Sequence, residues 1–214
     1  KNDSLKTFEV SKALVFYYKN GDFEIYRKLI EYDLKRENSY NNKSNIADKL
    51  LMLGRYYKKK GSLDSAMIQY HKSLAVYKEL KDDYGIVNVN SSIANVLKSK
   101  GEFENAVLKY NETLSFFEKD SSKYIGNILN VKLNLSSLYG RMEDWNKAEA
   151  INEEILKNSI IKKNSKIYSS ICINLVGIKT KLKKHNEALK FAKIAEKIEN
   201  RPKSLANLYN NTGN

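Results

Sequence analysis

Between Ile46 and Lys60 the apolar or small residues Leu50, Leu53, Gly54 and Tyr57 fall at three- and four-residue steps, the spacing of one face of an α-helix. Gly61 interrupts the pattern. Ser62 stands where it can cap a second helix, with Ser65 and Ala66 in its first turns, and the apolar series resumes as Ala66, Ile68, Tyr70, Leu74 and Tyr77. The same alternation returns three times: Ala94 and Leu97 precede Gly101, Ser136 and Tyr139 precede Glu143, and Leu175 and Val176 precede Lys184. Two stretches, KGSLDSAMIQY from Lys60 and KGEFENAVLKY from Lys100, show the match at its plainest.

Ala66, Ala106, Ala148 and Ala188 recur at steps of 40, 42 and 40 residues, and three residues before each stands Leu63, Phe103, Trp145 or His185. A fixed period of this size predicts stacked helix pairs, each burying its apolar face against the next. Small residues at Gly54, Ala94 and Ser136 on the first helices face the alanines of the second, so the two backbones approach closely. Larger side chains there would overpack the pair.

These residues resemble the tetratricopeptide repeat. Leu53-Gly54 with Tyr57, then Gly61, Ala66 and Tyr70, is similar to that family's helix-turn-helix pattern, as is Tyr209-Asn210-Asn211-Thr212-Gly213. The resemblance runs from Ile46 onward through four agreeing units. It implies an all-α, right-handed superhelical solenoid of antiparallel helix pairs. Residues 1–43 form a degenerate or capping pair, keeping Asn20-Gly21-Asp22-Phe23. Residues 44–203 hold four repeats, near 46–81, 87–120, 124–160 and 166–200, and residues 204–214 open a further repeat, so the protein is expected to continue. The units depart from the family by exceeding 34 residues, and Asn152 and Ala192 replace the aromatic of Tyr70 and Tyr110.

Composition agrees with a helical chain: a single proline, Pro202, and nine glycines in 214 residues. The lone Cys172 excludes an intrachain disulfide and reads as a small core residue. No run of about 18 apolar residues occurs, so no membrane-spanning segment is expected. The charge of +13 fits nucleic acid, an anionic membrane surface or an acidic partner. Its lysines sit in small clusters, Lys58-Lys59-Lys60, Lys162-Lys163 and Lys183-Lys184, where they complement helix C-termini. No nucleic-acid motif accompanies them.

Catalytic patterns are missing from the chain. His71 and His185 lie far apart, and there is no HExxH, nucleophile elbow or phosphate-cradling loop. Asp82-Asp83 and Glu153-Glu154 are neighbours in sequence, diverging by about 100° on a helix, and read as capping and solvated charges. Most of the fifteen tyrosines fall on the repeat pattern and read as core. The sequence thus predicts neither an enzyme nor a cofactor.

In tetratricopeptide proteins the first helices line an inner wall, and the resemblance implies that asparagines there hydrogen-bond an extended peptide. An amide offers both a donor and an acceptor to a peptide group, whatever its side chain. The candidates are Asn88, Ser92, Asn95, Asn130, Asn134, Ser137, Asn174 and Asn211, with Arg55, Lys58 and Lys98 making the wall positive and favouring an acidic ligand. The alternatives are a scaffold acting through its convex face or ends, and a basic nucleic-acid surface. Further resemblance, to sensing or docking arrays of bacterial regulators, leaves the compartment between cytoplasm and periplasm and leans to the periplasm.

Overall fold

A computed structural model describes residue 13 and residues 21–158 and 165–199. Among them are nine helices and no strand: α1 (Phe23–Ser39), α2 (Lys43–Lys59), α3 (Leu63–Leu80), α4 (Asp83–Lys100), α5 (Phe103–Glu118), α6 (Ile125–Arg141), α7 (Trp145–Lys157), α8 (Ser165–Lys181) and α9 (His185–Glu199). The chain divides into two compact units, residues 1–113 and 114–214. Helix α5 crosses that division.

One turn, repeated, sets the helix lengths. Left-handed backbone conformations occur at Gly21, Asn41, Gly61, Lys81 and Gly101, twenty residues apart, and again at Glu143 and Lys183. At six of these turns the next residue's N–H reaches back five residues. Asn42 donates to Glu37 O, Ser62 to Tyr57 O, Asp82 to Tyr77 O, Glu102 to Leu97 O, Asp144 to Tyr139 O and Lys184 to Lys179 O, all at 2.8–3.0 Å. This bond satisfies a carbonyl that the helix end would leave orphaned, and it requires a positive φ between the partners.

The new helix is then capped. Asp22, Asn42, Asp82 and Asp144 accept from the backbone N–H of Ile25, Asn45, Gly85 and Lys147. Ser62 occupies the N-cap position, as its place after Gly61 predicts, but its hydroxyl makes no capping bond.

The repeat alanines Ala66, Ala106, Ala148 and Ala188 are completely buried, as are Tyr70 and Tyr110. Helices α2 and α3 meet through Gly54, where an added Cβ would lie 2.4 Å from the Tyr70 ring. The next junction works likewise, since a Cβ on Gly85 would fall 2.2 Å from Tyr77. Below the α2–α3 contact Tyr26, Ile30, Leu53 and Tyr56 form one core cluster. In the second unit Ile155, Ile171 and Leu175 form another, joined to α9 through Phe191. Ile68 departs from expectation. It is 53% exposed because the buried face of α3 runs through Ala66, Tyr70, Ser73 and Tyr77, and a residue two after Ala66 points away from it.

Two substitutions at backbone-sensitive positions should move stability in opposite directions. Gly54→Ala, normally favourable inside a helix, is expected to destabilise by about 1–3 kcal/mol because the methyl enters the Tyr70 ring. Glu143→Gly is expected to stabilise by up to about 1 kcal/mol, since glycine adopts positive φ without a Cβ penalty. Urea denaturation followed by far-UV circular dichroism checks both.

Candidate functional site

Each first helix carries its groove candidates at matching distances before the turn residue. Six residues ahead of Gly61, Gly101, Glu143 and Lys183 stand Arg55, Asn95, Ser137 and Gly177; three ahead stand Lys58, Lys98, Gly140 and Thr180. In the first unit, Arg55 on α2 is exposed, Lys58 is half-buried, and neither has an ion-pair partner among the described residues. On α4, Asn88, Asn95 and Lys98 are half-buried and Ser92 is buried. Lys98 Nζ lies 6.0 Å from the centre of the Tyr110 ring.

The amides divide into two kinds. Asn95 is engaged within the fold: its Nδ2 donates to Ser91 O at 3.0 Å and its Oδ1 accepts from the Tyr110 hydroxyl at 2.8 Å. That hydroxyl belongs to the repeat aromatic, so Asn95 serves the packing of α4 on α5. Asn134 Nδ2 likewise donates to Asn130 O at 3.1 Å, and the Ser92 hydroxyl to Asn88 O at 3.1 Å. The side chains of Asn88, Asn130 and Asn174 make no hydrogen bond among the described residues, and Asn130 and Asn174 are exposed. Asn211 lies outside the described residues.

In the second unit, α6 and α8 frame a groove of about 720 Å³ that brings Ser137 and Asn174 together. Its apolar lining includes Trp145, Ile173 and Ile178; its polar lining includes Ser136, Thr180, Lys181 and Lys183. Gly140 and Gly177 also line it. Sequence periodicity singled out Ser137 and Asn174 for their polarity. It did not mark the two glycines, although both occupy register positions that carry large side chains, Lys58 and Arg55, in the first unit.

Behind the groove an ion cluster joins α7, α8 and α9. Lys179 is 1% exposed, and its Nζ donates to Glu149 at 2.7 Å, Glu153 at 2.8 Å and Glu187 at 2.6 Å. Lys184 Nζ also reaches both Glu149 oxygens, at 2.9 and 2.6 Å. Three carboxylate oxygens, one from each glutamate, lie within 4.8 Å of one another, and an ammonium sits where a cation would bind. Desolvation opposes ionisation of Glu149, but hydrogen bonds from Lys179 and Lys184 outweigh it and hold the carboxyl below its ordinary value of 4.5. Lys179 stays protonated for the same reason. Glu153 and Lys184, read from sequence as a solvated charge and a helix-end charge, are therefore both paired, with Lys179 and Glu149 respectively, and Glu154 pairs with Lys132 at 2.8 Å. The thiol of Cys172, buried as expected, is pushed up to about 11 by burial. Among the described residues no helix is long and apolar enough to cross a membrane.

No protein-family model and no curated protein matches the chain. Solved structures do. BtubC (BKLC) from P. vanneervenii is 22% identical with a TM-score of 0.76, covering 90% of this chain and 79% of its own. A putative kinesin light chain from Podosopora anserina, with nearly identical TPR-like repeats, is 13% identical with a TM-score of 0.72, covering 91% and 95%. The quorum sensor NprR from B. thuringiensis, in its apo form, is 14% identical with a TM-score of 0.73, covering 96% of this chain and 57% of that one. The fold is that of the TPR-like helical repeats, as the residue pattern implied.

Lys179→Met is expected to destabilise the protein at pH 7 by about 3 kcal/mol, the lower end for a broken buried pair because Glu153 and Glu187 reach solvent. Glu149 titrates below its unfolded value, so its contribution is complete above that value and is lost as pH falls through the folded one. The penalty of the substitution should accordingly shrink below about pH 4.5, as measured by urea denaturation across pH.

Proposed function

We propose that the chain is a non-catalytic protein- or peptide-binding module that holds an extended segment along its first helices. The observation that supports this best is the α6–α8 groove. An open trough between first helices of successive pairs carries the amide of Asn174, which makes no hydrogen bond among the described residues, opposite Ser137. Asn130, also without a side-chain bond, stands one helical turn before Asn134 on α6. A peptide group presented to these amides gains a donor and an acceptor together. Such contacts grip the backbone and leave selectivity to the pockets between them. Cationic Lys181 and Lys183 in the lining of this groove favour an acidic segment.

Within this reading, the chain is the sensing or docking part of a larger bacterial signalling protein. The fold shared with the quorum sensor NprR, of which this chain covers 57%, supports that assignment at the level of architecture.

One observation favours a second reading, assembly through the outer surface. Ile68 on α3 and Leu108 on α5 stand forty residues apart at the same register and are 53% and 62% exposed. Exposed apolar side chains at a repeated position suit a partner laid across the second helices.

The double substitution Asn130→Ala/Asn174→Ala separates the two. It removes two hydrogen-bonding side chains worth about 0.5–1.5 kcal/mol each, so peptides selected from a twelve-residue display library should bind roughly tenfold more weakly by fluorescence anisotropy. Unchanged affinity in that double variant, with loss on Ile68→Asp/Leu108→Asp, would instead assign binding to the outer surface.

A further inference from the structure

Four glycines within helices, Gly54, Gly85, Gly140 and Gly177, fall into two kinds. At Gly54 and Gly85 an added Cβ would strike a tyrosine ring at 2.4 and 2.2 Å, so close packing requires them. At Gly177 the same Cβ would meet nothing within 4 Å, and at Gly140 it would touch the Trp145 ring at an ordinary 3.6 Å. Neither has a positive φ. Glycine inside a helix is unfavourable relative to alanine, so these two weaken α6 and α8 without any packing return. Their effect is to keep the groove open.

The emptied space has a definite chemistry. Its volume of about 720 Å³ is in the range of small-ligand sites. Trp145, Ile173 and Ile178 supply apolar surface. At one edge stand Lys181 and Lys183, which have no carboxylate partner among the described residues, whereas nearby Lys179 and Lys184 are both paired. Lys183 is also held at φ +59°, in a turn whose counterparts in the first unit are Gly61 and Gly101. The chain thus keeps a lysine at the groove edge where glycine fits the backbone better.

We propose that the α6–α8 groove is a specificity pocket for one bulky apolar side chain, aromatic or leucine-sized, of a bound peptide that carries a carboxylate beside it. The inference rests on the peptide-binding reading and adds the class of side chain recognised. The apolar side chain fills the volume left by Gly140 and Gly177 against Trp145, while the carboxylate meets Lys181 and Lys183. Backbone amides of the peptide face Asn174.

Trp145 is the sole tryptophan of the chain, so its fluorescence reports directly on the groove. The probes are acetylated, amidated peptides of sequence Gly-Ser-Gly-Ser-Phe-Asp-Gly-Ser-Gly-Ser, together with versions bearing Ser for Phe or Lys for Asp. Copies carrying an added side-chain fluorescein are used for anisotropy. The Phe-Asp peptide should shift Trp145 emission and bind at least tenfold more tightly than either altered peptide. A Cβ at Gly177 meets nothing within 4 Å, so Gly177→Leu should fill the groove without lowering the unfolding midpoint while erasing the preference for Phe over Ser. Lys183→Gly relaxes its turn, and should erase much of the preference for Asp over Lys without loss of stability.

A Gly177→Leu protein that still prefers Phe overturns the pocket, as does a wild-type protein that binds all three peptides alike. If that indiscriminate binding is weakened by Asn130→Ala/Asn174→Ala, the peptide-binding reading stands and the pocket alone falls. Absence of binding by every peptide, to every form, removes both.

Discussion

A backbone hydrogen bond closing over a left-handed residue is the constraint on which the rest of the structure depends. Wherever it forms, the preceding helix ends and the chain reverses, and at three of the six turns the next residue, Asn42, Asp82 or Asp144, also caps the following helix with its side chain. Spacing the bond at twenty residues fixes helices of 17–18 residues from α1 to α4. Residues at matching distances from successive turns then face matching neighbours. Close approach follows from this register: Ala66, Ala106, Ala148 and Ala188 vanish into helix contacts because each sits at the same angular position relative to its turn.

A frame defined by backbone leaves the side chains at a register position free to change. The position packed by Tyr70 and Tyr110 becomes Asn152, whose Nδ2 donates to Ser136 Oγ and, at 2.8 Å, to Ala148 O, so a polar bridge takes over part of the work of a ring. The position of Tyr57, Leu97 and Tyr139, each the acceptor of a turn bond, becomes Lys179. Burying an ammonium there is tolerable only because three carboxylates surround it. The last helix pair thus puts ion pairs that tie α7 and α9 to α8 where earlier pairs carry an apolar or aromatic side chain, an arrangement more directional than apolar packing and more sensitive to acid.

Local pattern was legible where one residue type has one physical role. Gly54, Gly61, Gly101 and the repeat alanines announced the pairs, since few alternatives satisfy a positive φ or a backbone contact. Glu143 and Lys183 occupy the same conformation without the same chemistry, and only their place in the repeat betrayed the turn. Register errors came from treating any apolar residue as core: Ile68 is exposed although it sits among buried neighbours. The Lys179 cluster was invisible because its members are separated by 8, 26 and 30 residues, and no linear motif encodes a meeting of three helices. Asparagine was the least informative type. Asn95 holds Tyr110 and Asn174 lines the groove, and polarity alone does not distinguish a side chain bonded within the fold from one that is exposed.

The groove-lining register makes the division of labour concrete. Six residues before successive turns the side chain is Arg55, then Asn95, then Ser137, then Gly177, while the backbone carrying them is the same helix end closed by the same bond. A long cation, an amide, a hydroxyl and a bare Cα are four different surfaces at one geometric address. Packing gives the repeat alanines a common size, whereas at this address Asn95 is held by the Tyr110 hydroxyl and the other three residues differ in bulk. Its steady loss of bulk instead leaves polar, charged side chains on the first unit and a hollow in the second. The turns thus preserve the frame, while this position, like those of Asn152 and Lys179, changes its side chain from pair to pair.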